Sequence, residues 1–418
     1  MSSSVLLKVF EYCIADPLKK HLKINHIQFG FTENSSCANA ITFLKETVFN
    51  YTSKKSNVHA VALDLSKAYD KININLLIDK LVSADLPLPL VKIIGFMLKN
   101  THVNVRCNGY LGREFKVMNG ARQGGIISSI IFNFYIDECI NIVSNMDIGC
   151  VLKHEKANIV AYADDIIVMA PSSNALQIIV DVIGANLLKL CLKVNVDKSG
   201  YIVFKANRIY NNDVDMKLNG LDIKRVKEIK YLGVIINEDL SLKSDINRVT
   251  NDFLKQFNGF YHKFSFLHRE IKYFLFKTYT SSFYGSNLWI EQHITENKIR
   301  EISIAYHKAV KKLAGLLPWD SNHDACKIVG VNIFKHLLTK RMLKHYRELS
   351  RTENVMFRSL RYYLLHSSLT FVSLNTIFKN WYGVENFKCN DYSALYARID
   401  FIERNEPRSY YNTNLSLS

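Results

Sequence analysis

Two adjacent carboxylates, Asp164 and Asp165, stand inside the run Ile159-Val160-Ala161-Tyr162-Ala163-Asp164-Asp165-Ile166-Ile167-Val168-Met169, which is otherwise apolar and rich in β-branched residues. Runs of this kind on both sides of a short polar step favour two strands of a hairpin with the carboxylates at its tight turn. Burying an unpaired carboxylate costs several kcal/mol, on the order of the net stability of a whole chain. A chain that keeps two of them there needs positive charge nearby, and a divalent cation is the simplest source.

A second carboxylate sits directly behind an apolar strand pattern one hundred residues earlier, in Ala62-Leu63-Asp64-Leu65-Ser66-Lys67-Ala68-Tyr69-Asp70-Lys71. If that strand lies beside the hairpin, Asp64, Asp164 and Asp165 converge at one sheet edge, and three carboxylates cannot stay ionised together without cations. Magnesium suits such a set, because it takes oxygen ligands, keeps an octahedral shell and shares carboxylates with substrate phosphates. Two Mg²⁺ ions, with Mn²⁺ as the alternative, would activate an attacking hydroxyl and stabilise a leaving phosphate oxygen, which is nucleotidyl transfer. Asp70 reads instead as a helix-start or surface carboxylate.

The charge balance agrees with a phosphate-bearing partner. Lys and Arg number 54 against 38 Asp and Glu, giving +16 and a pI near 9.3, so nucleic acid leads the polyanions that fit. Eight cysteines lie far apart and form no C-x-x-C pair, which argues against a disulfide framework and for a reducing compartment. Cys139 and Cys191 read as packing residues. The longest apolar run, Ile126 to Ile136, is too short and too polar to span a bilayer, so a soluble chain in nucleus or cytoplasm is expected, with no membrane partner.

Length and patterning give the organisation. At 418 residues the chain should divide into two or three domains. Helices are expected over 41–51, 75–99 with a break at Asp85-Leu86-Pro87-Leu88-Pro89, 126–142 and 178–192. Strands are expected over 57–65, 201–204 and 231–236, with a hairpin turn at Asn108-Gly109. This mixture makes an α+β sheet domain. Beyond Leu240, Ile246, Val249, Phe253, Leu254, Phe257 and Phe260 recur at helical spacing and open a helical domain, with a boundary near Lys311 to Pro318. Lys340, Lys344, Arg347 and Arg351 share one helical stripe, which suits either a phosphate backbone or a solvated basic face.

Taken in order, these motifs make the chain resemble the reverse transcriptases of non-LTR, LINE-type retrotransposons, most closely jockey-like ones. The family's first palm motif matches Asp64 through Asp70, which implies metal ligation by Asp64 and by the backbone carbonyl of Leu65, with Tyr69 excluding a ribose 2′-hydroxyl. Asn119-Gly120-Ala121-Arg122-Gln123-Gly124-Gly125-Ile126 matches the motif that lines the nascent base pair, through Gln123 and Gly124. Tyr162-Ala163-Asp164-Asp165 matches the catalytic box, and Lys198 in Leu192-Lys193-Val194-Asn195-Val196-Asp197-Lys198-Ser199 would lie near the leaving pyrophosphate. Tyr231-Leu232-Gly233-Val234 looks like the primer-gripping hairpin, and Gln28 through Ser36 like a fingers motif in which Thr32 replaces a common arginine.

The resemblance implies a right-hand polymerase with an antiparallel-sheet palm. Fingers and palm would occupy 1–238, a helical thumb 239–315 and a helical C-terminal extension 316–418. It implies RNA-directed DNA synthesis by a monomer on an RNA template and DNA primer from deoxynucleoside triphosphates. The chain starts inside the family's upstream fingers segment, so an N-terminally truncated copy is expected. The alternatives are an inactive nucleic-acid-binding remnant of such an element and a group II intron-type maturase.

Overall fold

Two apolar runs far apart in the sequence, around Val61 and around Val168, become neighbouring strands in the N-terminal part of the molecule. The structure is a computed structural model that describes residues 5–122, 124–206, 215–291, 294–384 and 392–405. The chain divides into two compact units: one holds residues up to Leu232 with Asn354–Met356, the other Gly233–Glu353 with the residues from Phe357 on.

The first unit opens with α1 (Val5–His21), α2 (Cys37–Thr52), β1 (Val58–Asp64), α3 (Ile74–Ser83) and α4 (Leu88–Lys99). Four two-residue strands follow, β2 (His102–Val103), β3 (Arg106–Cys107), β4 (Tyr110–Leu111) and β5 (Phe115–Lys116), and then α5 (Ile126–Asn145). Next come β6 (Val151–Leu152), β7 (Glu155–Lys156), β8 (Ile159–Tyr162), β9 (Asp165–Ala170) and α6 (Ser173–Lys189). The unit closes with β10 (Gly200–Phe204), β11 (Met216–Leu218), β12 (Leu221–Ile223) and β13 (Glu228–Tyr231).

Strands β10, β1, β9 and β8 form an antiparallel sheet in that order. In β9 every residue from Ile166 to Ala170 is buried, which explains a continuous apolar run in place of alternation. Helix α6 packs on β1 and β9, while α2 and α5 pack on β8. The Ser172 hydroxyl accepts from Ala175 N and starts α6 earlier than the periodicity alone indicates. Asn108 and Gly109, at φ 48° and 86°, make the two-residue turn between β3 and β4.

Three expectations are corrected here. The run that starts at Ile126 continues as helix to Asn145, long and apolar enough by length and composition to cross a membrane, with 67% of its most apolar window buried inside the fold. A helix apolar all round is what a buried central helix requires. Cys191 is exposed, at φ 57° in the turn after α6, rather than packed. The expected strand 231–236 is interrupted, because Leu232 (φ 47°) and Gly233 (φ 78°) reverse the chain between β13 and β14 (Val234–Asn237), as the resemblance to a hairpin implied.

After β14 the chain is helical among the described residues: α7 (Lys243–Phe264), α8 (Arg269–Leu275), α9 (Arg300–Ala314), α10 (Asn322–Val329) and α11 (Phe334–Arg351). It ends with α12 (Val355–Ser359), α13 (Arg361–His366), α14 (Leu369–Tyr382) and α15 (Tyr392–Asn405). Aromatic rings centre the second unit: Phe283 lies 5.1 Å from Phe253 and 5.3 Å from Phe334, whose ring is 5.5 Å from Tyr306. The buried Asp245 carboxylate accepts from Ile235 N (3.0 Å), Arg248 Nε (2.8 Å) and Trp289 Nε1 (2.8 Å), which anchors β14 to α7. Gly315, at φ 72°, ends α9.

Candidate active site

The sheet register brings two of the three expected aspartates face to face. Asp64 ends β1 and pairs with Asp165, the first residue of β9, while Asp165 also pairs with Tyr162 across the β8–β9 hairpin. Ala163 and Asp164 form the tight turn, with Ala163 in the left-handed region at φ 53°. A left-handed alanine costs energy unless its surroundings hold it.

Gln28 supplies that hold. Its buried Oε1 accepts from Ala163 N (2.8 Å) and Gly30 N (3.0 Å), and Phe29 N donates to Ala161 O (2.8 Å). A Cβ on Gly30 would come within 2.5 Å of Ala163 N and 2.9 Å of Tyr162 C, so only glycine lets the segment lie this close. From α5, Asn133 Nδ2 donates to Gly30 O (2.5 Å). The motif comparison treats this segment as fingers and misses its role beneath the aspartate turn. The available signal is a lone glutamine between Ile27 and Phe29, because a polar side chain in an apolar setting requires a partner.

The aspartates are less enclosed than the apolar run suggests: Asp164 is half-buried and Asp165 reaches solvent. The surrounding chain still desolvates them. Desolvation, then the Asp164 and Asp64 charges, push Asp165 up to about 6. Asp164 is raised as well, by desolvation and by Asp64, against the pull of its own backbone N–H. Among the described residues no Lys, Arg or His pairs with any of the three, and no group of three or more His, Cys, Asp or Glu side chains is drawn close enough to hold an ion. Hard oxygen donors with uncompensated charge fit Mg²⁺, which completes its shell with water and substrate phosphates instead of a protein cage.

Backbone bonds strap two further motifs to Asp64. Asn195 N donates to Asp64 O (2.7 Å), Ser66 N donates to Lys193 O (2.9 Å), and the buried Leu65 bridges Val194. Ser199 Oγ accepts from Asp64 N (3.2 Å) and donates to Asn195 O (2.8 Å), so Ser199 is another site residue that motif reading passes over. Lys198 lies exposed in the turn of this strap. On the other side Gly120, at φ 93°, leaves no room for a Cβ, which would lie 2.8 Å from Asp70 Cα and Tyr69 O. Ala121 N donates to Tyr69 O (2.8 Å). The Tyr69 ring stacks on Phe132 at 4.6 Å, and burial together with Asp164 pushes its hydroxyl up to about 12. Gly124 is exposed at φ 84°, whereas Gln123 lies outside the described residues.

The remaining expected residues are placed differently. Tyr231 is buried, its hydroxyl has no hydrogen-bond partner among the described residues, and burial followed by Asp165 raises it well above the usual tyrosine range. Leu232 and Gly233 are half-buried turn residues. Thr32 turns back to donate to Gln28 O (2.8 Å). On α11, Lys340 sits 2.7 Å from Asp400 and 3.4 Å from Glu403, Lys344 is 3.8 Å from Glu348, and Arg347 lies over the Tyr392 ring. These contacts all lie within the second unit.

Comparison with known proteins adds an independent line. The family profile described as reverse transcriptase (RNA-dependent DNA polymerase) matches residues 2–236. The chain is 26% identical over 243 residues to the Retrovirus-related Pol polyprotein from type-2 retrotransposable element R2DM of Drosophila melanogaster, covering 55% of this chain and 22% of that protein. It is 23% identical over 259 residues to the Probable RNA-directed DNA polymerase from transposon BS of Drosophila melanogaster, with 59% and 28% covered. It is 24% identical over 236 residues to the RNA-directed DNA polymerase from mobile element jockey of Drosophila funebris, with 55% and 25% covered. The chain spans about a quarter of the length of these relatives. With more than half of its length matched, from residue 2 into β14, the chain belongs to the reverse transcriptase family.

Proposed function

We propose that this chain carries RNA-directed DNA synthesis, with Asp64, Asp164 and Asp165 as the catalytic carboxylates. One observation supports this above the others: the register pairing of Asp64 with Asp165 beside the Asp164 turn, which concentrates negative charge that no Lys, Arg or His among the described residues neutralises. Asp64, Asp164, Asp165 and the Leu65 carbonyl would hold two Mg²⁺ ions. When bound, such ions supply Lewis-acid activation of a primer 3′-hydroxyl and stabilise charge on a leaving phosphate oxygen.

The other groups do ordinary protein work. Tyr69, braced on Phe132, stands as a wall beside Asp164 that excludes a ribose 2′-hydroxyl, and its hydroxyl keeps its proton at neutral pH. Gly124 offers unobstructed backbone to the nascent base pair. Lys198, carried on the strap bonded to Asp64, donates a proton or charge to the departing pyrophosphate. The turn at Leu232 and Gly233 supports the primer terminus. On this reading, fingers and palm run to residue 238, the thumb to 315 and the extension to 418, with RNA template and DNA primer held mainly through phosphates.

Primer extension on an RNA template in Mg²⁺ tests the assignment. Asp164→Asn is expected to lose about a thousandfold or more of the wild-type rate while melting at a similar temperature. Equal extension by the two proteins overturns the assignment. Salt-dependent RNA binding with no incorporation by the wild type identifies an inactive remnant instead.

A further inference from the structure

Helix α5 begins immediately after the Arg122–Gly125 turn, and its N-cap residue, Gly125, has no side chain with which to cap it. The Ile126 N–H donates instead to Glu11 Oε2 at 2.6 Å, and Glu11 belongs to α1. Glu11 is only 3% exposed, so a buried carboxyl group stands at the positive end of a long helix. The surroundings are shaped to it. A Cβ on Gly125 would lie 3.1 Å from Glu11 Oε2 and 2.6 Å from Ser128 Oγ, so a larger residue there would displace both side chains. Glu11, Arg122 and Ser128 together line a cavity of about 200 Å³ beside the turn.

An ordinary cap comes from the residue that precedes the helix and reports only on that helix. A cap delivered from α1 couples the packing of α1 to the conformation of the turn and of Gly124. We propose that Glu11 is a positioning residue for nucleotide selection: by holding the first amide of α5, it fixes the turn whose exposed Gly124 backbone meets the incoming base pair. The inference rests on the polymerase reading of that backbone.

The test uses the full chain and compares Glu11→Ala, which removes the acceptor, with Glu11→Gln, which keeps an oxygen at the same distance along the side chain. In steady-state extension, Glu11→Ala should raise KM for the deoxynucleotide about tenfold with kcat within about threefold, and Glu11→Gln should recover most of that loss. A fold-wide role would lower kcat and melting temperature in both variants alike, with no selective rise in KM. That pattern, or an unchanged KM in Glu11→Ala, overturns the proposal. Hydrogen exchange at Ile126 separates the two levels of the argument. If Glu11→Ala accelerates exchange there while α6 stays protected, the cap is supported even where wild-type extension fails and the polymerase reading falls; unchanged exchange overturns the cap itself.

Discussion

The acidic edge of the sheet and the basic face of α11 are alike as expectations, each a gathering of one sign of charge. The folded chain treats them oppositely. Lys340 and Lys344 find carboxylates within reach, and Arg347 covers a tyrosine ring, so their charge is answered by their own unit. Asp64, Asp164 and Asp165 pair with no cation among the described residues; desolvation and then the neighbouring carboxylates raise the proton affinity of Asp164 and Asp165 instead. Charge density in a sequence therefore says little until its partners are known. What marks the acidic edge is repulsion left standing, which a fold selected for stability alone would have removed.

That contrast can be broken most sharply at Asp165. Asp165→Asn should cut primer extension about a thousandfold or more, and in the absence of metal it should also melt higher than wild type above pH 6. The folded value of about 6 lies above the ordinary aspartate range near 4, so the unfolded chain binds fewer protons between them. The contribution of Asp165 to stability is therefore fully present below about pH 4 and is lost as pH rises through 6. A melting series from pH 4 to 8 without metal should fall more steeply for wild type than for Asp165→Asn, and added Mg²⁺ should flatten it. Parallel melting curves would mean that the repulsion is already relieved by something else.

Gln28 comes next in size. Gln28→Ala leaves the buried Ala163 and Gly30 amides without their acceptor, each costing about 1–3 kcal/mol, and frees a turn that alanine does not prefer. Extension should drop about ten- to a hundredfold through kcat with KM for the deoxynucleotide nearly unchanged, because Asp164 is misplaced while Gly124 is not. Loss confined to KM would detach Gln28 from the aspartate turn.

The sheet and the hairpin were legible because their signals are local: β-branched runs, Asn-Gly at 108–109, and carboxylates at strand ends. Gln28, Ser199 and Glu11 were not, because each acts on a backbone amide far away in sequence, and nothing in their immediate neighbours encodes that bond. Tyr231 shows the same limit from the other side. Its place in the turn motif says nothing of its burial, and alternation along β13 turns it inward with Ile229. The ion pairs of Lys340 in the α11 stripe were equally hidden, because Asp400 and Glu403 lie sixty residues downstream on α15.

The mildest effect belongs to that stripe, and it sharpens the comparison from the basic side. Lys340 is partly exposed and its two ion pairs are screened by solvent, so Lys340→Gln should cost only about 1 kcal/mol of stability. Glu403 keeps its bonds from Asn332 Nδ2 (2.6 Å) and Ile333 N (2.9 Å), which limits the damage further. Because the charge removed was already neutralised inside the unit, RNA affinity should stay within about twofold and the slope of log affinity against log salt should not change. A tenfold loss of affinity with a shallower slope would show that RNA draws Lys340 away from its carboxylates, and the two clusters would then differ only in which partner each one meets first.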